Sequence, residues 1–168
     1  MNITVVNRQR VQKINLRRLK KITSALLTEM EIEKAEIGIC LVAAPEMTRL
    51  NETFLWHAGS TDVITFDYGF GVPPSGGAKR GVMSAQNNRL KPGHQTLHGE
   101  IFMCVDEAIL QARKFDTSWQ SEVIRYLVHG VLHLLGFDDS RAGARGKMKR
   151  EENRWLREMS HRFPLSKL

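Results

Sequence analysis

The sequence predicts an α/β fold, an α+β-like sandwich in which a small mixed four-stranded sheet is packed by helices. Three observations predict it. Short apolar, β-branched runs alternate with segments whose apolar residues recur at helical spacing. One helical segment, Val123 to Leu135, is apolar around most of its circumference, which marks a buried central helix. Two strand-like runs, Thr61–Tyr68 and Gly99–Asp106, follow one another with only a Gly/Pro-rich stretch between them, so one sheet edge should be antiparallel.

Residues Ile3 to Val6 read as a short strand. From Asn15, an N-cap residue type, Leu16, Leu19, Ile22, Leu26, Leu27 and Met30 fall at helical spacing. The opposite side of that helix carries Arg17, Arg18, Lys20 and Lys21. It reads as a solvated face, with an RNA contact as the alternative. "IGICLVA", Ile37 to Ala43, is a near-continuous apolar run and reads as a buried strand. Pro45 suits the first turn of a second helix, with Met47, Leu50, Phe54 and Leu55 on one face. "TDVITFDY" reads as a third strand and "GEIFMCVD" as a fourth.

The stretch between those strands, residues 69–98, is rich in glycine and proline. It holds Lys79, Arg80, Arg89 and Lys91 and no acidic residue. A loop of this length is either functional or disordered. A third helix begins near Ala108. After a break around Asp116 to Ser118 the central helix follows, with Thr117 and Gln120 as a capping box, and Gly136 is placed to end it in a left-handed turn. A last helix carries Met148, Trp155, Leu156 and Met159. Parallel pairs are expected where helices cross over.

The chain has 168 residues, which suits a single domain spanning 1–168 with one sizeable core. Its 42% hydrophobic and 26% charged residues are those of a soluble globular protein. No apolar run approaches the roughly 18 residues of a membrane span, so no membrane association is expected. The N-terminus lacks the pattern of a secretory signal. Cys40 and Cys104 lie in apolar strand-like runs and read as buried free thiols, which fits a cytoplasmic setting. The formal net charge of +7 favours a polyanionic partner, nucleic acid above all.

The segment "VHGVLHLLGFDDS", Val128 to Ser140, is hard to account for as packing alone. His129 and His133 stand four residues apart, on one face of a helix, so two imidazole nitrogens can meet at one point. Gly136 lets the chain fold back, and an aspartate just beyond it can add an oxygen. Two nitrogens and one carboxylate with an open fourth position are the pattern of a catalytic zinc site. The alternative is a pair of buried histidines, each satisfied by a hydrogen bond. The spacing also fits the H-E-x-x-H metallopeptidases, but their general base is the Glu after the first His. Here that residue is Gly130, which lowers the peptidase reading and leaves the metal.

"HGVLHLLGFDD" resembles the H-G-x-L-H-L-x-G-(Y/F)-D-H motif of the YbeY family, bacterial endoribonucleases linked to ribosomal RNA maturation. "LNETF" and "STDVITF" resemble the family's L-N-x-x-(Y/F) and T-(D/N)-V-L-S-F elements at matching separation. "GEIFMCVDEAILQA" resembles its G-D-I strand and the following helix. The resemblance covers most of the chain. It implies an α/β sandwich with the histidine helix in its middle. It also implies a zinc-dependent endoribonuclease, specific for single strands, that acts in small-subunit ribosomal RNA 3′ end maturation and ribosome quality control, with the ribosome or ribosomal proteins as partners.

The same resemblance sets the site residues. It implies one Zn2+ per chain on His129, His133 and Asp139, the last standing where the family has His. Asp138 matches the family's own Asp, which supports the turn or orients a histidine from behind the ligands. Leu55 stands where the family carries an Arg linked to phosphate handling, and Glu100 where it carries Asp. Trp56 and His57 follow Leu55 and are candidates to meet RNA, together with Lys79, Arg80, Arg89 and Lys91. His57 and Glu100 are the candidates to assist the chemistry. Two other readings remain: a non-enzymatic ribosome-associated assembly factor with a structural metal, and, less favoured, a metallopeptidase.

Overall fold

A computed structural model describes residues 1–69 and 96–168 of the chain. The elements in order are β1 (Asn2–Asn7), α1 (Leu16–Glu29), β2 (Lys34–Val42), α2 (Ala44–Leu50), β3 (Val63–Asp67), β4 (Thr96–Cys104), α3 (Val105–Phe115), α4 (Trp119–Leu134) and α5 (Ala142–Arg162). The sheet order is β1-β2-β4-β3. β1 and β2 pair in parallel, as do β2 and β4, while β3 runs antiparallel to β4 at the edge. This is the mixed sheet expected from the element order, with its antiparallel edge on β3.

Side chains on a strand alternate between faces, and here one face is covered by the main core and the other at the end under α2. Ile37, Ile39 and Leu41 of β2, with Leu97, Ile101 and Met103 of β4, join the main core beneath α1 and α4. The alternate residues Cys40, Val42, Phe102 and Cys104 join Met47 and Ile64 in a smaller core under α2. That periodicity explains why β2 reads as a continuous apolar run. Both cysteines are free and buried.

α4 is the central element. Val123, Ile124, Leu127, Val128, Val131 and Leu132 are all buried. Its close approach to β4 depends on two glycines. A Cβ at Gly130 would stand 2.6 Å from Ile101 Cγ2, and one at Gly99 would stand 2.6 Å from Leu134 Cδ2. Helix and strand therefore meet backbone to side chain, which fixes the rotation of α4 and the direction of its histidine face.

Several boundaries differ from the sequence expectation. β4 begins at Thr96, so residues 96–98 belong to the sheet and not to the loop. Only Leu97 of those three is apolar, and His98 pairs across from Glu36 of β2, which hides the strand from a hydrophobic pattern. α3 starts at Val105, directly after β4. The cap of α4 is Ser118, whose Oγ accepts the Ser121 N–H at 3.1 Å. Thr117 instead donates its hydroxyl to Glu122 Oε1 at 2.7 Å. Asn15 does cap α1, accepting the Arg18 N–H at 3.1 Å. After α2 the chain widens into a single π turn over Asn51–Leu55. Among the described residues no helix is long and apolar enough to cross a membrane.

Candidate metal centre

α4 places His129 and His133 one turn apart on the face it does not bury against the sheet. The helix then ends in a paired cap. The Gly136 N–H donates to the His133 carbonyl at 2.8 Å and the Phe137 N–H to the Leu132 carbonyl at 3.0 Å. Gly136 takes φ +81°, a conformation that glycine adopts without cost. The reversal brings Asp139 back over the histidine face.

His129, His133 and Asp139 form a group able to hold a metal ion. The two Nε2 atoms lie 3.0 Å apart. Asp139 Oδ2 lies 3.9 Å from Nε2 of His129 and 3.8 Å from Nε2 of His133. A triangle with sides of 3.0, 3.9 and 3.8 Å has a circumradius of about 2.1 Å, which matches zinc bonds to imidazole nitrogen and carboxylate oxygen. The donor set and its spacing thus fit a divalent metal.

Both rings are held from behind. His129 Nδ1 lies 3.1 Å from Glu152 Oε2, and His133 Nδ1 lies 3.1 Å from the Phe137 carbonyl. A carbonyl only accepts, so His133 donates from Nδ1. Burial tends to raise the Glu152 carboxyl, but hydrogen bonds from His129, Arg125 and Lys149 outweigh it and hold the group at about 2. Glu152 is therefore an anion, and His129 also donates from Nδ1. Each Nε2 then turns a lone pair toward the same point. Burial, and next the neighbouring His129, push the His133 imidazole below its ordinary value, against the pull of Asp139. That direction favours the neutral imidazole that a metal ligand requires.

Glu152 has no counterpart in the sequence reading. It lies on α5, 23 positions beyond His129, and is buried. Its other oxygen takes Arg125 Nη1 at 2.7 Å and Lys149 Nζ at 3.0 Å. Asp138, expected to act on the turn or on a histidine, is hydrogen-bonded within the turn. Its Oδ1 accepts the Ser140 N–H at 2.9 Å and its Oδ2 the Ser140 hydroxyl at 2.8 Å.

A cleft of about 550 Å³ opens beside the group, and His129 and Asp139 form part of its wall with Arg125, Arg145, Lys149 and Tyr126. Other expected residues lie elsewhere. Glu100 is on the face of β4 opposite α4, because Gly99 and Ile101 on either side of it face that helix. Its Oε2 accepts the Tyr68 hydroxyl at 2.9 Å, so it does not reach the metal group. Leu55 packs against the smaller core. Trp56, at φ +60°, is 78% exposed, and His57 beside it is exposed too. Neither lines the cleft. Lys79, Arg80, Arg89 and Lys91 lie outside the described residues.

Gly130 carries a second consequence. Ile101 occupies the space into which a side chain at that position would grow. The glutamate base of the H-E-x-x-H enzymes has no room here, which is a packing reason against the peptidase reading.

The profile of the family described as Endoribonuclease YbeY matches residues 1–160. A protein of Salinibacter ruber named Endoribonuclease YbeY is 32% identical over 120 residues, covering 71% of this chain and 68% of that protein. One of the same name from Chlorobium phaeovibrioides is 30% identical over 140 residues, covering 83% and 79%. Among solved structures, a Thermotoga maritima protein determined in solution shares the fold, with a TM-score of 0.59 and 22% identity over 94% of this chain and 88% of that one. The profile match over residues 1–160 and the identity to these relatives show that the chain belongs to the YbeY family.

Proposed function

We propose that the protein is a zinc-dependent endoribonuclease that cuts single-stranded RNA in the cytoplasm, with ribosomal RNA on the ribosome, at the 3′ end of the small-subunit species, as its main target. It works as a single domain. The observation that carries the reading is the pair of Nε2 atoms 3.0 Å apart whose Nδ1 partners are both acceptors. Two imidazoles whose Nε2 atoms meet at one point while each Nδ1 faces an acceptor, beside a carboxylate, have the arrangement of a ligand set more than that of packed core histidines. The family's endoribonuclease name supplies the reaction.

His129, His133 and Asp139 would hold the metal, and Glu152 and the Phe137 carbonyl keep the two rings aimed. When bound, such a metal supplies Lewis-acid chemistry, polarising a phosphodiester or lowering the pKa of water. Asp139 in place of a third histidine adds a negative charge. This strengthens the hold on a cation and weakens the attraction for phosphate, so backbone affinity must come from basic residues around the cleft. Unpaired bases have an exposed aromatic, Trp56, on which to stack.

The test is purified, metal-quantified protein against single-stranded RNA, duplex RNA and casein, with His133→Ala as control. Cleavage of the single strand alone, lost in His133→Ala together with most of the metal, is the expected result. RNA binding without cleavage would make the protein an assembly factor instead. Cleavage of casein would restore the peptidase.

A further inference from the structure

We propose that Arg145, in the first turns of α5, is the residue that grips the RNA backbone phosphate beside the metal group. The proposal rests on the endoribonuclease reading above and adds a residue to it.

Three cations line the cleft that His129 and Asp139 share: Arg125, Arg145 and Lys149. Two of them are already matched. Arg125 lies 3.3 Å from Glu122 and 2.7 Å from Glu152, and Lys149 lies 3.0 Å from Glu152. Arg145 makes no ion pair among the described residues. The one hydrogen bond of its side chain there runs from Nε to the backbone carbonyl of Asp139, at 3.0 Å.

That single bond sets the orientation. With Nε tied to the chain of a metal-group residue, the two terminal nitrogens stay free, and a guanidinium fork suits two oxygens of one phosphate. The side chain is exposed, so a strand can reach it. The cleft wall also carries Asp62, Glu122, Asp139 and Glu152, of which Glu122 and Glu152 are taken by Arg125 and Lys149, whereas the charged residues at the start of α5 are all basic. Residues 141–150 hold Arg141, Arg145, Lys147, Lys149 and Arg150 and no carboxylate. They lie at the positive end of a 21-residue helix. An anion drawn to this end of α5 meets Arg145 in the same cleft as His129 and Asp139. A phosphodiester there faces both the charge that holds it and the group that acts on it.

The experiment measures binding of a mixed-sequence single-stranded oligoribonucleotide over a range of KCl, metal content and cleavage. The variants are Arg145→Ala, Arg145→Lys and, as a charge control on the same helix outside the cleft, Arg150→Ala. Arg145→Ala should keep its metal and weaken binding on the order of ten-fold, as loss of a charge-assisted contact does. It should flatten the slope of log affinity against log salt by at most ~0.7. Arg145→Lys keeps the charge without the fork and should fall between, and Arg150→Ala should do less than Arg145→Ala.

Unchanged affinity and slope in Arg145→Ala overturn the proposal. An equal loss in Arg150→Ala overturns it too, since only bulk charge is then at work. So does a loss of metal that accounts for the loss of binding, because Arg145 would then only hold the Asp139 turn. The two readings fail separately. A wild-type protein that binds RNA and never cuts it removes the endoribonuclease while the effect of Arg145→Ala on binding still judges the clamp. Full cutting and binding by Arg145→Ala removes the clamp alone.

Discussion

His129 Nδ1 and Glu152 Oε2 lie 3.1 Å apart and join α4 to α5 directly behind the metal group. Glu152 therefore has two jobs. It fixes the tautomer of His129, and it gathers Arg125 and Lys149 on its other oxygen. Glu152→Gln keeps the size and removes the anion, so His129 Nδ1 faces a neutral amide that can present either its oxygen or its NH2, and the tautomer is no longer fixed by charge. Metal affinity should fall about 10–100-fold, the scale for groups that orient a ligand. Competition with a chelator of known affinity measures it, and an unchanged constant would mean that the Phe137 carbonyl and His133 suffice.

The two histidines were legible in the sequence and Glu152 was not, for a physical reason. His129 and His133 lie on one helix, where a fixed 3.6-residue period converts spacing into geometry. Glu152 meets His129 only because α5 packs on α4, and nothing local separates it from its neighbour Glu151, which is half-buried and pairs with Arg154. The same limit holds for the fold. Buried strands of β-branched residues declare themselves, whereas β4 starts in polar residues whose pairing is decided by β2. Ser118 and Thr117 are both good caps, and the Thr117 hydroxyl is instead bonded to Glu122, five residues on in the first turn of α4. Asp138 and Asp139 are alike as residue types, and only the turn after Gly136 separates their roles.

Gly130 should tolerate no side chain. A Cβ there would sit 2.6 Å from Ile101 Cγ2, inside a closed contact between α4 and β4. Gly130→Ala should lose about 1–3 kcal/mol by overpacking, read from denaturant unfolding. In the double variant with Ile101→Ala the two losses should not add, because the smaller residue makes room for the new methyl. Strict additivity would place the strain elsewhere.

The chain has two tyrosines, and both should ionise late. Burial, aided by the hydrogen bond to Glu100, pushes Tyr68 up to about 12. Burial pushes Tyr126 up as well. Unfolded tyrosine ionises near ~10, so above that pH the native state holds protons that the unfolded state has released. This contribution to stability is complete below ~10 and is lost as pH rises through about 12. Phenolate absorbance of the folded protein should stay low near pH ~10.5 and rise at once in denaturant. Half-ionisation near ~10 in the folded protein would contradict the burial of Tyr126, or the hydrogen bond of the half-exposed Tyr68 to Glu100.

Which aspartate is the ligand can be decided by three variants. Asp139 Oδ2 is equidistant, within 0.1 Å, from the two Nε2 atoms, at 3.9 and 3.8 Å. Asp138 engages both oxygens on Ser140. Asp139→Ala should thus remove most of the bound metal and, with it, any cleavage of RNA. Asp138→Ala frees one turn but leaves the three-atom group intact, so its metal affinity should stay within about ten-fold, the lower edge of the range for supporting residues. Asp139→His exchanges an anionic ligand for a neutral one. It should keep the metal, since three imidazoles are a sufficient set. The centre becomes more positive by one charge, and phosphate is drawn in more strongly. If attraction of phosphate limits the rate, Asp139→His should cut RNA faster than the wild type, with a steeper dependence of affinity on salt. Metal kept in Asp139→Ala and lost in Asp138→Ala would reverse the assignment and require the 138–140 turn to open in the metal-bound protein.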